Sequence, residues 1–187
     1  MVGSPKIGDT LTLTLSHAQN QVAVGIALTL LPATGWAETP GETLNYQAND
    51  LAAAGRFKDA IPLYTKAIAI EPAYVEPYYN RGKAELSLDD YAAALADFNV
   101  ALRLTPDNGD IYNNRGITKK MMGDLSGAIA DYNTALKFSP TLYRVYLNRG
   151  IAQYANGNEP AACADLKLAA EHQVAGGADG VSQLGCK

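Results

Sequence analysis

The chain has 187 residues, of which 48% are hydrophobic, and it carries a formal net charge of −4. That length and hydrophobic share suffice for one ordinary domain with a sizeable core. The slight acidic excess argues against a nucleic-acid binder that depends on neutralising phosphates. The two histidines and two cysteines are too few and too scattered for a zinc site, so we expect no metal or other cofactor.

Residues 1–37 have the features of a secretory signal peptide. An uncharged apolar run covers residues 22–31 and is too short to span a bilayer, which takes about 20 residues. Gly35 and Ala37 are small residues at the −3 and −1 positions of a cut after Ala37. Lys6 is the single basic side chain ahead of the run, and Asp9 offsets it. We expect export to the periplasm or an equivalent lumenal compartment; the alternative is a disordered or partly strand-like extension.

From residue 41 onward the sequence repeats with a period of 34 residues. The recurring residues are Pro72, Pro106 and Pro140; Ala60, Ala94, Ala128 and Ala162; Tyr78, Tyr112 and Tyr146; and the string Asn-Arg-Gly at 80–82, 114–116 and 148–150. With the late proline numbered as position 32, the units are 41–74, 75–108, 109–142 and a truncated 143–173. A strict period of this length marks stacked units that bury their apolar faces against one another.

Each unit is predicted to fold as two short helices joined by a turn, which makes the chain all-α. In unit 2 the first helix is expected from about Glu76 to Leu88. The second is expected from near Tyr91 to before Pro106, because proline cannot continue the hydrogen-bond ladder. The turn falls at Gly55, Asp89, Gly123 and Gly157. Small residues recur at positions 8, 20 and 27 and large apolar residues at position 24, an alternation that closely packed helices need.

These recurring residues resemble the tetratricopeptide repeat family over residues 41–173. The family pattern has an aromatic at position 4, Gly at 8, Ala at 20, an aromatic at 24, Ala at 27 and Pro at 32. Units 2, 3 and 4 carry tyrosine at position 4, whereas unit 1 departs from the pattern with Leu44 and Gln47-Ala48. The resemblance implies a short right-handed solenoid of three full repeats and one partial repeat, closed by a C-terminal cap.

Position 7 carries an arginine where the family has an apolar residue. The arginines are Arg81, Arg115 and Arg149, and the same three units carry Asp97, Asp131 and Asp165 at position 23. Unit 1 has neither charge, with Gln47 and Leu63 in their places. We therefore expect each arginine to pair with an aspartate between helices, within its unit or with the neighbouring one. The alternative is a row of arginines that faces a ligand.

In this family the first helix of each unit lines a concave groove, which implies a peptide-binding face here. Position 6 on that face is Asn80, Asn114 and Asn148, and the same face carries Asn45, Asn49 and Asn113. An amide side chain offers both a donor and an acceptor to an extended peptide backbone. The alternative is that these asparagines satisfy local backbone groups.

A subset of the family clamps a C-terminal carboxylate with lysine, asparagine and arginine side chains at fixed positions. In units 1–3, Asn49 and Asn80 match this set and the three charged positions do not. In units 2–4 the corresponding residues are Tyr79, Lys83, Asn114, Arg144 and Asn148. Arg144 keeps one charge there and Lys83 supplies a second. An acidic tail can bind such a surface, whereas a chaperone-type clamp is not expected.

Residues 174–187 are the candidate cap for the open end of the solenoid. Cys163 and Cys186 are the two cysteines of the chain, and in an exported protein we expect them to form a disulfide that holds the cap. The alternative is two unpaired thiols.

No set of residues fills the roles of a catalytic site, so we expect that the protein is not an enzyme.

The sequence therefore predicts an exported protein–protein interaction scaffold or assembly factor, which binds a peptide segment or helix in its concave groove. The alternative is a structural subunit of a membrane complex, held by its convex face and its N-terminal apolar segment. In both cases the partner is another protein.

Overall fold

The structure is a computed structural model that describes residues 38–186. Nine α-helices and no strands lie within this range. They are α1 Pro40–Ala53, α2 Phe57–Ile70, α3 Val75–Ser87, α4 Tyr91–Leu104, α5 Gly109–Met121, α6 Leu125–Phe138, α7 Tyr143–Ala155, α8 Glu159–Glu171 and α9 Gly177–Gln183. None of these helices is long and apolar enough to cross a membrane. The predicted signal peptide and its alternatives concern residues 1–37, which lie outside the described residues.

The first eight helices form four antiparallel pairs, one pair in each 34-residue unit, and each pair packs against the next. The helices of unit 2 begin and end within two residues of the expected positions, with Leu88 as the C-cap of α3 and Thr105 as the C-cap of α4. The prediction of an all-α fold built from stacked helix pairs is confirmed.

A residue in the left-handed backbone region stands in the turn between the two helices of every unit. These residues are Gly55, Asp89, Gly123 and Gly157, with φ between 60° and 86°. The residue that follows caps the second helix in units 2, 3 and 4. The caps are Asp90, Asp124 and Asn158, whose side chains accept hydrogen bonds from backbone N–H groups of the first turn. Such caps stabilise a helix start by about 1 kcal/mol each.

In the core, a small residue of the first helix faces a large residue of the second. A Cβ added to Gly116 would lie 2.7 Å from Cε1 of Tyr132, and one added to Gly82 would lie 2.9 Å from Cε1 of Phe98. These distances are shorter than van der Waals contact, so the two helices approach this closely because position 8 is glycine. The predicted alternation of small and large residues is confirmed.

The C-terminal residues fold as α9 against α8. Cys163 and Cys186 form a disulfide, with their Cα atoms 5.4 Å apart. Gly177 is buried, and a Cβ there would lie 2.7 Å from the backbone nitrogen of Ala170. The short helix therefore lies directly on the last repeat and is held there by a covalent bond.

Candidate functional site

The first helices of the four units, α1, α3, α5 and α7, lie side by side. Their position-6 asparagines Asn80, Asn114 and Asn148 therefore follow one another along a single face, and all three side chains are half-buried. We call this face the groove and define it by positions 5, 6, 9 and 12 of each first helix. It collects all the residues that the sequence singled out for peptide binding except Arg144, which is at position 2 of α7.

A ladder of hydrogen bonds runs along the groove from one unit to the next. In each junction the amide nitrogen of the position-6 asparagine donates to the position-5 residue of the preceding unit. The bonds join Asn80 to Oδ1 of Asn45 at 3.3 Å, Asn114 to the hydroxyl of Tyr79 at 2.8 Å, and Asn148 to Oδ1 of Asn113 at 2.9 Å. Because the nitrogen of each amide is held by its neighbour, the direction of its oxygen is fixed as well.

The ladder leaves the oxygen of each position-6 amide unbonded. No group within residues 38–186 donates to Oδ1 of Asn80, Asn114 or Asn148, and none of these oxygens is a buried atom. A buried acceptor without a partner would be costly, but an accessible one is available to a ligand. The groove therefore presents three oriented hydrogen-bond acceptors, one unit apart.

Two of the predicted peptide-binding asparagines lie beneath the groove surface. Asn45 and Asn113 are each 2% exposed, and each accepts a ladder bond. Asn45 also donates its amide hydrogen to the hydroxyl of Tyr74 at 3.2 Å. The sequence grouped these two with the other asparagines because all share one helix face. Their burial makes them supports that orient the accessible amides.

A cleft of about 400 Å³ opens between α1 and α3 at the first end of the groove. Lys83 is the charged residue of its lining, and Asn49 and Asn80 are its amides. Oδ1 of Asn49 accepts a hydrogen bond from the hydroxyl of Tyr64 at 2.8 Å, which leaves the amide nitrogen of Asn49 for a ligand. The ammonium of Lys83 lies 5.2 Å from the centre of the Tyr79 ring, a favourable cation–π contact. The cleft is therefore suited to an anionic group.

Arg144, the second cation of the predicted set, already has a partner. It forms an ion pair with Asp110 of the preceding unit, and both side chains are about half exposed. An anionic ligand would have to compete with Asp110 for this guanidinium. At neutral pH the pair therefore attracts an acidic peptide less than an unpaired arginine would.

The position-7 arginines fasten each unit to the one before it. Each donates two parallel hydrogen bonds of 2.7–2.9 Å to the aspartate of its own unit, the pairs being Arg81–Asp97, Arg115–Asp131 and Arg149–Asp165. Nη1 of each arginine also donates to position 25 of the preceding unit, which is Thr65, Asn99 or Asn133. The hydrogen bonds to the aspartates raise the pKa of each arginine. The expected pairing is confirmed, and these arginines do not form a row that faces a ligand.

Two family models match the chain, one described as a tetratricopeptide repeat over residues 47–109 and one described as a TPR repeat over residues 120–157. Together the two ranges cover more than half of the chain. The chain belongs to the tetratricopeptide repeat family. No curated protein matches it.

Several solved structures share this fold. A crystal structure of MamA is 27% identical with a TM-score of 0.68, over 72% of this chain and 78% of that one. MamA from Desulfovibrio magneticus RS-1 is 18% identical with a TM-score of 0.66, over 70% and 74%, and shows the fold alone. The first TPR of Spaghetti (RPAP3), solved bound to the HSP90 peptide SRMEEVD, is 25% identical with a TM-score of 0.61, over 63% and 93%.

One position departs from the regularity of the repeats. At position 11, Lys119 of unit 3 lies 2.8 Å from Asp131, whereas unit 2 carries Glu85 beside Asp97. Oε2 of Glu85 is buried and has no hydrogen-bond partner. Burial, with a further contribution from Asp97, raises the pKa of Glu85 to about 7. Unit 2 therefore contains a carboxyl group that holds its proton up to neutral pH.

Proposed function

We propose that the protein is an interaction scaffold or assembly factor that binds a segment of another protein in the groove. The observation that carries the proposal is the row of oriented amide oxygens of Asn80, Asn114 and Asn148. An extended backbone presents N–H donors at regular intervals, and such acceptors bind it without reading its side chains. That the first TPR of Spaghetti (RPAP3) was solved bound to an HSP90 peptide supports this use of the fold.

The cleft at Lys83 adds a preference for an acidic group to the recognition of the peptide backbone. Its lining combines one ammonium group with the amides of Asn49 and Asn80, and no carboxylate of residues 38–186 belongs to it. Charge-assisted hydrogen bonds to a carboxylate are about twice as strong as neutral ones. An acidic side chain or a C-terminal carboxylate of the partner is therefore expected at this end, between units 1 and 2.

The experiment uses the full chain and a random library of displayed short peptides as the probe. Peptides recovered by panning are synthesised, and their affinities are measured by fluorescence anisotropy. Replacing Asn80, Asn114 and Asn148 together by Ala should weaken binding at least about tenfold, since each lost hydrogen bond is worth about 1 kcal/mol.

The matched control replaces Lys58, Lys66 and Ser126 by Ala, three exposed residues of the second helices α2 and α6. This variant should bind the recovered peptides as the wild-type chain does. An unchanged affinity in the groove variant, measured on folded protein, would contradict the proposal.

We also propose that the protein is exported. The support is the Cys163–Cys186 disulfide together with the apolar run and small residues before Glu38, because disulfides persist mainly in oxidising compartments. N-terminal sequencing of the native protein should begin at Glu38. A cytoplasmic mature chain that retains residues 1–37 would contradict export.

A second candidate function, permanent attachment to a membrane complex, is favoured by a row of apolar residues on the second helices. Ile70, Leu104 and Phe138 are 50%, 40% and 41% exposed and occupy the same position in units 1, 2 and 3. Replacing these three by Ser should release the protein from a membrane fraction, whereas the groove variant should not. Release by neither variant would count against this second function.

A further inference from the structure

A second cleft, of about 410 Å³, lies between α7 and α9 at the last end of the groove. Its apolar lining consists of Leu147, Ile151, Tyr154, Leu166 and Leu184. Ligand pockets have volumes from about 300 Å³ upward, so this cleft is near the small end of that range. Its volume suits one or two large side chains.

The cleft is continuous with the groove. Leu147, Ile151 and Tyr154 stand at positions 5, 9 and 12 of α7, on the face that also carries Asn148. Ile151 is 43% exposed and Tyr154 is 51% exposed. Large apolar side chains left in water beside a backbone-binding surface favour an apolar contact with whatever occupies that surface.

The opposite wall of the cleft is fixed in place. It is formed by α9, which the Cys163–Cys186 disulfide ties to α8. Gly180 of α9 packs so closely that a Cβ would lie 2.9 Å from Cδ2 of Leu166. A preformed wall lowers the ordering cost of binding. The cleft therefore does not have to assemble around its occupant.

The charge of the cleft restricts the occupant further. Asp179 is the charged residue of its lining, and within residues 38–186 it has no ion-pair partner. A carboxylate at the edge of an apolar cleft is complementary to a cation next to an apolar group. At the other end of the groove the sign is reversed, because Lys83 lines the first cleft.

We propose that this cleft binds a large apolar side chain of the partner segment, aromatic or leucine-like, whose neighbouring residue is a Lys or Arg paired with Asp179. This inference rests on the proposed function, since the occupant is the segment that the groove binds. It extends the recognition beyond the backbone to one apolar anchor and one basic residue. The partner segment would thus carry its basic residue at the end that lies in unit 4 and α9.

The test uses the panned peptides and the full chain with its disulfide intact. We expect the recovered peptides to share an aromatic residue or leucine next to Lys or Arg. Ile151→Ser should weaken their binding about tenfold, because a buried large apolar side chain contributes a factor of this order. Asp179→Lys should weaken it about fivefold, and panning against that variant should select Asp or Glu at the neighbouring position.

Two matched variants serve as controls. Met122→Ser removes a similarly exposed apolar residue at the end of α5, and Asp107→Lys makes the same charge change in an exposed turn, both outside the cleft. Neither should change the affinity. Thermal melts of all four variants establish that they are folded.

The outcomes separate this inference from the proposed function. If Asn114→Ala weakens binding but Ile151→Ser and Asp179→Lys do not, the groove stands and the cleft proposal is overturned. Recovered peptides without a basic residue next to the apolar one also overturn it. If no peptide is recovered, both proposals fail.

Discussion

Glu85 offers a way to test the electrostatics of the scaffold at a single position. Its carboxyl lies beside Asp97, while Nε of Arg81 is 3.8 Å from its Oε1 and is already bonded to Asp97. In unit 3 the same position holds Lys119, which forms an ion pair of 2.8 Å with Asp131. The informative changes are therefore Glu85→Gln, which removes the charge, and Glu85→Lys, which copies unit 3.

The sign of the effect follows from where the proton is held. In the folded state burial raises the pKa of Glu85 to about 7, from an ordinary value of 4.5. Between these two values the folded state keeps a proton that the unfolded state has released, so the free energy of unfolding falls as pH rises from 4.5 to about 7. Above that range both states are ionised and the contribution is constant.

The magnitude is bounded by the size of the pKa rise, which corresponds to at most about 3 kcal/mol. The side chain retains 12% exposure, and water and salt screen part of the repulsion from Asp97. We therefore expect Glu85→Gln to raise the free energy of unfolding by about 1–2 kcal/mol at about pH 8 and by much less at about pH 5. Glu85→Lys should stabilise further at the higher pH, because it adds an ion pair to Asp97.

Urea unfolding of the full chain, followed by far-UV circular dichroism at both pH values, measures these differences. Comparing each variant with the wild-type chain at the same pH cancels the titration of all other groups. The reasoning is refuted if Glu85→Gln shifts the urea midpoint equally at both pH values. It is also refuted if, at the higher pH, the wild-type chain is more stable than Glu85→Gln.

Three further predictions concern the packing and the covalent bond. Asp131→Ala should lower the free energy of unfolding, measured by urea unfolding, by about 3–5 kcal/mol. The reason is that it leaves the largely buried guanidinium of Arg115 without its carboxylate partner. Gly116→Ala should cost about 1–3 kcal/mol by the same measurement, since the added methyl group overlaps a buried ring. Thiol titration of the denatured, unreduced protein should count close to zero, and reducing the Cys163–Cys186 bond should lower stability by about 3 kcal/mol. A count near two would refute the disulfide.

The stacked fold could be predicted because its packing rule is local and periodic. Each unit needs a small residue at position 8 opposite a large one at position 24, so Gly82 with Phe98 and Gly116 with Tyr132 repeat the same pair of residue types. The arginine–aspartate pairs could be predicted for a related reason. Both charges are absent together from unit 1, where Gln47 stands at position 7.

The ladder in the groove could not be read from the sequence because its acceptors differ in type. Position 5 is occupied by Asn45, Tyr79 and Asn113. An amide oxygen or a phenolic hydroxyl there accepts the same hydrogen bond from the position-6 asparagine. The hydrogen bond from Nη1 of each arginine to the preceding unit could have been predicted from the sequence. Position 25 is a short polar residue in units 1 to 3, Thr65, Asn99 and Asn133, and this recurrence was the signal.

The cleft between α7 and α9 depends on how the C-terminal residues fold back, which no periodicity describes. Its wall is set by the Cys163–Cys186 bond and by the contacts of Gly177 and Gly180, residues outside the repeats. The extra carboxyl at Glu85 was visible in the sequence, but its effect depends on how close Asp97 lies and on how little water reaches it.

The central claim is that an accessible amide oxygen of the groove binds the partner backbone, and a pair of variants at one junction tests it most directly. Asn114→Ala and Tyr79→Phe both remove the same hydrogen bond between units, which is 2.8 Å long. Only Asn114→Ala also removes the oxygen that faces the groove.

The measurement is the affinity of a panned peptide for each variant, by fluorescence anisotropy on folded full-length protein. We expect both variants to lose about 1 kcal/mol of stability and Asn114→Ala to bind the peptide about fivefold more weakly, whereas Tyr79→Phe, which keeps the oxygen but no longer holds its direction, should lose less than about twofold. Equal affinities for the two variants would contradict the claim, because the amide would then serve only to hold the units together.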